Sequence, residues 1–348
     1  MTIAMSEDLG KLIKELGQWS PGDLKIVVMP HFCVDCSVKY EGGHTSFVEK
    51  LEVIRKQEGG NIIVDQSMFL GGKAANCASA LASLGLNTHL IARTSELGYK
   101  LLKYFTGGKV DISHVIKDGK LAITTAIELP GSNIMLSDPG SLSNFGPDHL
   151  SARDEELVQE ADFVCISDWG LNCRGTELAK HVFEKVKEGK GKKGKTYFDP
   201  GDPSPKARVE QEISALVELL MNGLVDIFGV NEDELLRYGQ TNEPHRAVDF
   251  LSKMTRVDFH TKDHVASFQR DGETGKVPTF NVEPLRLTGA GDAWNAGNIL
   301  GDAMGLSSEL RLVLANAVAA YYISNPHGVH PGIEELIEFL EKIEKLEN

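Results

Sequence analysis

Short apolar runs that alternate with helical-period segments predict an α/β chain, built on a doubly wound, mostly parallel sheet flanked by helices. The run 25–29 is apolar after Lys25, as a strand covered on both faces is, and 162–167 and 196–199 also read as strands. Between them lie amphipathic stretches, for example 176–186 with Leu178, Val182 and Val186 on one face. The runs from 162 onward are each followed by polar residues, and ligands of such sheets sit beyond the carboxyl ends of the strands.

The 348 residues suffice for a large core, and no composition shift forces a second one. A net charge of −14 argues against nucleic acid as a partner, because phosphate backbones need a basic face. No run of about 18 apolar residues offers a membrane span. The amino terminus carries Glu7 and Asp8 rather than a basic leader, so a soluble, cytoplasmic protein is expected. Five scattered cysteines do not make a disulfide framework, and Cys33-x-x-Cys36 reads as two small residues near a strand.

In chain order, Leu9, Leu12, Ile13 and Leu16 predict a helix over 6–18, within an added helical segment of about 1–24. The first strand, 25–29, leads to Asp35. The stretch 36–68, punctuated at Glu41-Gly42-Gly43 and Glu58-Gly59-Gly60, suits exposed β-strands of a lid, and 120–138 contributes a hairpin around Pro130-Gly131. Gly71-Gly72-Lys73-Ala74-Ala75-Asn76 opens a small-residue helix; the glycines admit close backbone approach, and Lys73 and Asn76 can hold hydroxyls. Arg93 is read as a surface arginine before a phosphate ligand. Strands follow at 162–167, 196–200, 224–228, 257–261 and 265–268, with a buried helix over 307–324 and an amphipathic one from Ile333.

Three patterns mislead. Gly189 to Thr196 matches G-x-x-x-x-G-K-[ST] by letter, but a helix precedes it and a strand follows, the reverse of a P-loop. Gly289-x-Gly291 lacks the third glycine of a dinucleotide fingerprint, since Trp294 stands there. His260 and His264 have the spacing of a helical zinc pair on what reads as a strand.

The chemistry concentrates in Thr288-Gly289-Ala290-Gly291-Asp292 and the helix after it. Consecutive N–H groups at a helix start make an anion cradle, and a carboxylate beside it can take a proton from a hydroxyl that attacks a bound phosphate. Asp292 is therefore the expected general base, with Gly289, Ala290 and Gly291 stabilising the transferring group.

This stretch resembles the C-terminal signature of the ribokinase (PfkB) family of carbohydrate kinases, and Gly71-Gly72-Lys73-Ala74-Ala75-Asn76 resembles the N-terminal one. The resemblance implies one ribokinase-like domain over 1–348 with a small β lid, transferring the terminal phosphoryl group of a Mg2+ nucleotide to a sugar, sugar phosphate or nucleoside. It implies that Asp35, Gly71, Gly72, Lys73 and Asn76 hold the acceptor. Asn231, Thr261, Thr288 and Asn316 would lie at the nucleotide. Asn231 and Glu234, as Asn-x-x-Glu, would organise Mg2+ through water. A homodimer formed through the lid is expected. Two departures stand out. Arg286 replaces the acid of a loop that binds potassium in ribokinase-like members, so no potassium activation is expected. His260-Thr261 resembles ADP-dependent sugar kinases, so ATP is the first expectation for the donor and ADP the second. A catalytically inactive binding homologue is the alternative of another class, and retention of the glycines with Asp292 speaks against it.

Overall fold

The computed structural model describes residues 3–130, 132–189, 194–286, 288–325 and 327–347. Its main sheet has eight strands in the order Gly272–Pro278, His264–Gln269, Arg256–His260, Ile227–Asn231, Lys195–Asp199, Phe163–Ser167, Lys25–Met29, Asn87–Leu90. The pairs from Arg256–His260 to Asn87–Leu90 are parallel, and the two at the other edge are antiparallel.

The period-2 alternation of each strand feeds two cores. Ile26, Val28, Cys165, Tyr197 and Ile227 face one side, against helices Ile3–Gln18, Lys73–Ser83, Ala290–Ala303, Ser308–Ser324 and Ile333–Glu347. Val27, Met29, Val164, Ile166, Phe198 and Phe228 face the other, against Ala152–Glu160, Gly175–Glu188, Val209–Met221, Glu232–Tyr238 and Pro244–Leu251. Leu9, Leu12 and Leu16 of the first helix are buried, and that helix packs on Ile333–Glu347.

A second sheet pairs Asp65–Gly71, Cys33–Lys39, Ala122–Leu129 and Ser132–Asp138 in that order. Its register separates two faces. Asp35, Ser37, Lys39, Phe69, Thr124 and Glu128 share one, and Val34, Cys36, Met68, Leu70, Ile123, Ile127 and Leu136 share the other. Cys33 and Cys36 therefore project to opposite faces, and both thiols are free.

The structure corrects three expectations. The span 36–68 is not all strand, since Gly43–Lys56 is an α-helix. The glycine clusters mark its ends, with Gly43 at φ 70° and Glu58 at φ 55° beyond its C-terminus. The helix buries none of its residues, although Phe47, Val48, Leu51 and Ile54 recur at helical spacing, a signal that the glycine punctuation around it overrode. The strand expected at 224–228 runs Ile227–Asn231, because the Leu224 amide closes the preceding helix on the Leu219 carbonyl at 3.2 Å. The strand Gly272–Pro278 was not anticipated; GETGKVP has few apolar residues to alternate. Of the P-loop look-alike, 190–193 lie outside the described residues, as does Gly131 of the hairpin turn and Leu287; the flanks do run helix to strand, Gly175–Glu188 to Lys195–Asp199. Among the described residues, no helix is long and apolar enough to cross a membrane.

Candidate active site

The carboxyl ends of the central strands, at Met29, Ser167, Asp199, Asn231 and His260, converge on the start of helix Ala290–Ala303. Gly289 caps that helix at φ 90°, and a Cβ there would fall 2.6 Å from the Tyr322 hydroxyl. That hydroxyl donates to the Thr288 carbonyl at 3.2 Å, fixing the turn. The first-turn amides have no intrahelical acceptor, so those of Ala290, Gly291 and Asp292 present a positive end to the site.

Asp292 is buried in the first turn, and Asn76 Nδ2 donates to its Oδ2 at 3.0 Å. Burial is the main reason its carboxyl is pushed up to about 7. Lys73 and Asn76 pull it down, while Asp199 and Asp168 push it further up. Asn76 reaches this position because Gly72, at φ 89°, lets the chain pass close to Phe32; a Cβ would lie 2.7 Å from the Phe32 Cα. The Ala75 amide then donates to the His31 carbonyl at 3.0 Å. Gly71 is required for another reason. The Asp35 carboxylate lies over it, and a Cβ would stand 2.2 Å from Oδ1. Burial raises the Asp35 carboxyl, although a bond from Cys33 Sγ at 3.2 Å opposes this.

Lys73 Nζ donates to both oxygens of Asp199 at 3.2 Å. Burial pulls its ammonium down, but Asp199, Glu234, Asp292 and Asp168 together raise it well above the usual range. Asn295 Nδ2 at 2.6 Å and the Gly201 amide at 3.2 Å complete the Asp199 shell. Asn231 and Glu234 form a reciprocal capping box: the Glu234 amide donates to Asn231 Oδ1 at 2.9 Å, and the Asn231 amide to Glu234 Oε2 at 3.0 Å. Burial pushes the Glu234 carboxyl up to about 7, with Lys73 lowering it and Asp199 raising it.

Thr261 and Asn316 spend their side-chain hydrogen bonds within the protein. Thr261 Oγ1 donates to the His264 carbonyl at 2.8 Å and accepts from the Asp263 and His264 amides, so it is absorbed in its own turn. Asn316 accepts from Trp294 Nε1 at 3.1 Å and donates to the Pro278 carbonyl at 2.9 Å, which ties two elements together. Thr288 is exposed at the cavity mouth. Arg93 is held by Asp118 at 2.9 Å and by His149. Among the described residues, no cluster of three or more His, Cys, Asp or Glu is assembled to hold a metal.

Sequence reasoning missed His31, Asp168 and Asn295. His31 and Asp168 form a buried ion pair; burial lowers the imidazole, and Asp168 with the charges of Asp35 and Asp292 together raise it. Asp168 stands directly after Phe163–Ser167 at φ 60°, so the rule of polar strand ends covered its place but not its partner. The ring of His260 lies 5.1 Å from that of Trp294, beside Gly291, and burial lowers its imidazole to about 4. A cavity of about 510 Å³ is lined by Asp35 and other residues of the polar face of the second sheet, together with Leu285, Arg286 and Thr288.

Residues 44–335 match the model of the pfkB family of carbohydrate kinases. A 5-dehydro-2-deoxygluconokinase of Bacillus cereus is 26% identical over 300 residues, covering 80% of this chain and 87% of that protein. A candidate ribokinase II of E. coli, solved in complex with ATP and Mg2+, superposes with a TM-score of 0.75 at 16% identity over 92% of this chain and 99% of that one. Arabidopsis thaliana ribokinase complexed with ribose and ATP gives a TM-score of 0.69 at 20% identity, again over 92% and 99%. The chain belongs to the pfkB family of carbohydrate kinases and has the ribokinase-like fold.

Proposed function

We propose that the chain transfers the terminal phosphoryl group of a nucleotide to a hydroxyl of a sugar-type acceptor bound under the second sheet, with Asp292 as general base. The observation that carries this reading is the buried Asp292 carboxyl at a helix start, oriented by Asn76 and protonating near neutrality. A base poised there accepts the hydroxyl proton as the oxygen attacks. The amides of Ala290, Gly291 and Asp292 stabilise charge on the transferring group without reorganising. Lys73, pinned to Asp199, holds the positive charge that the departing and arriving oxygens need. Asp35 and Asn76 orient the acceptor hydroxyls.

The site fits a magnesium ion that keeps its waters. Glu234 keeps Oε1 outside its capping bond, and burial, with Asp199 and Asp168 nearby, pushes its own carboxyl up to about 7, as a group awaiting a cation. Asn231 and Glu234 would hold that ion through water, and when bound it supplies charge neutralisation on the nucleotide phosphates.

ATP is the first reading for the donor, and two structures of the same fold were solved with it. ADP is the second, favoured by His260-Thr261 at the strand end beside the cradle. Initial rates with each nucleotide, freed of the other, across pentoses, hexoses, their phosphates and nucleosides test both readings. Turnover with ATP alone removes the second, and no turnover with any pair removes the kinase reading. For the lid we further propose a homodimer, in which the outer face carrying Met68, Ile123 and Leu136, all exposed in one chain, is covered by a second copy. A monomer by sedimentation would contradict it.

A further inference from the structure

Arg286 stands in the wall between two cavities, the one of about 510 Å³ under the second sheet and a neighbour of about 430 Å³ that also touches Asn76 and Tyr322. Its guanidinium carbon lies 4.5 Å from the centre of the Phe69 ring and 5.2 Å from that of Tyr322. Behind it the chain passes as Gly328, where any Cβ would overlap the guanidinium. Rings and glycine thus fix the plane of the group. Among the described residues no carboxylate pairs with it, and its Nε is buried without a hydrogen-bond partner. The half-buried Arg256 and the buried Arg311 differ: Arg256 is bound by Asp302 and Asp258, and Arg311 by Asp258, Asn298 and Ser267.

Aromatic faces satisfy a guanidinium above and below its plane and leave its edge to donate. A desolvated donor edge with no acceptor is costly, and the acceptor geometry it fits is a planar or tripodal oxyanion. The acids of the larger cavity do not supply one. The Asp35 carboxyl, raised by burial, feels the Arg286 charge, which lowers it, but makes no hydrogen bond or ion pair with Arg286 and accepts from Cys33 Sγ, and Glu128 Oε1 accepts from Ser37 at 2.8 Å.

We infer that Arg286 recognises an anionic group, a carboxylate or a phosphate, carried by the acceptor, so that the enzyme selects a sugar acid or sugar phosphate over its neutral counterpart. This rests on the reading that the cavity beside Asp35 holds the acceptor.

Calorimetric binding, with no nucleotide present, of glucose, gluconate, glucose 6-phosphate, ribose and ribose 5-phosphate tests it, using wild type, Arg286→Gln and Arg286→Lys. Expected is tighter binding of at least one anionic sugar than of its neutral parent. Arg286→Gln should weaken that sugar by about 10- to 100-fold and Arg286→Lys by less, with neutral sugars unaffected. The carboxylate and phosphate arms identify which anion is read. Binding of neutral and charged forms with equal strength, equal losses for both in Arg286→Gln, or no binding of any anionic sugar overturns the inference. Anion-selective binding without phosphoryl transfer from any nucleotide would leave it standing and sink the kinase mechanism instead. A thermal melt of Arg286→Gln that superimposes on wild type shows that the loss is not unfolding.

Discussion

Two buried polar clusters lie at opposite ends of helix Ala290–Ala303, joined by Tyr197, whose hydroxyl donates to Asn295 Oδ1 at 2.7 Å and accepts from Asn298 at 3.2 Å. In the inner cluster Asp258 is fully buried, yet Arg311, Arg256, Ser267 and Asn298 all reach it. Burial pushes its carboxyl up, but the two arginines and those bonds hold it well below the usual range. In the outer cluster Asp35, Asp168, Asp199, Glu234 and Asp292 share Lys73 and His31, and Asp292 and Glu234 titrate near 7. A compensated buried charge belongs to the architecture, whereas an undercompensated one beside a cavity is set aside for a ligand or a proton.

The comparison breaks most visibly at Asp292. Asp292→Asn should lower turnover by roughly 10²- to 10⁴-fold with nucleotide binding nearly intact. Its stability should change with the opposite sign. A carboxyl that keeps its proton to about 7 when folded, and to about 4 when unfolded, costs the fold stability as pH rises between those values. The variant should therefore melt higher than wild type at pH 8 and no higher at pH 4. A lower melt at pH 8 would show that the carboxylate is structural.

Asp258→Ala should do the reverse. Removing one member of a satisfied buried ion cluster costs about 3–5 kcal/mol, because the arginines left behind are uncompensated. Chemical denaturation measures this, and a loss under about 1 kcal/mol would show that the inner cluster is not holding the helix to the sheet. Glu234→Gln comes next. It should raise the magnesium concentration needed for half-maximal rate with little effect on melting, and a superimposable titration would remove Asn231 and Glu234 from that role. The smallest effect is expected from potassium. With Arg286 fixed between two rings, exchanging potassium for sodium should change the rate by less than about twofold.

What the chain discloses by reading alone follows the range of each signal. The central strands and the helix starts at Lys73 and Ala290 depend on local periodicity and on glycines whose backbone demands are local, and these were legible. Asp292, Asn76 and Gly72 were legible too, because each stands in a short motif. His31 with Asp168, and Lys73 with Asp199, were not. They are partners separated by more than 120 residues, and only the strand order brings them together. Helix Gly43–Lys56 was misread because the glycines at its two ends were taken as strand punctuation, although Phe47, Val48, Leu51 and Ile54 recur at helical spacing. Thr261 and Asn316 show a further limit. A side chain can occupy an expected position and still spend its hydrogen bonds on its own turn or on a neighbouring helix.

Asp292 and Glu234 both have carboxyls pushed up to about 7 by burial, and only Asp292 stands at the start of helix Ala290–Ala303 as the proposed proton acceptor. The direct measurement is the pH dependence of kcat/KM in wild type, Glu234→Gln and Asp292→Asn at saturating magnesium. A rate that rises through about pH 7 and then levels is expected in wild type and persists in Glu234→Gln, while the residual rate of Asp292→Asn does not follow pH. A rise that disappears in Glu234→Gln and survives in Asp292→Asn would contradict the account.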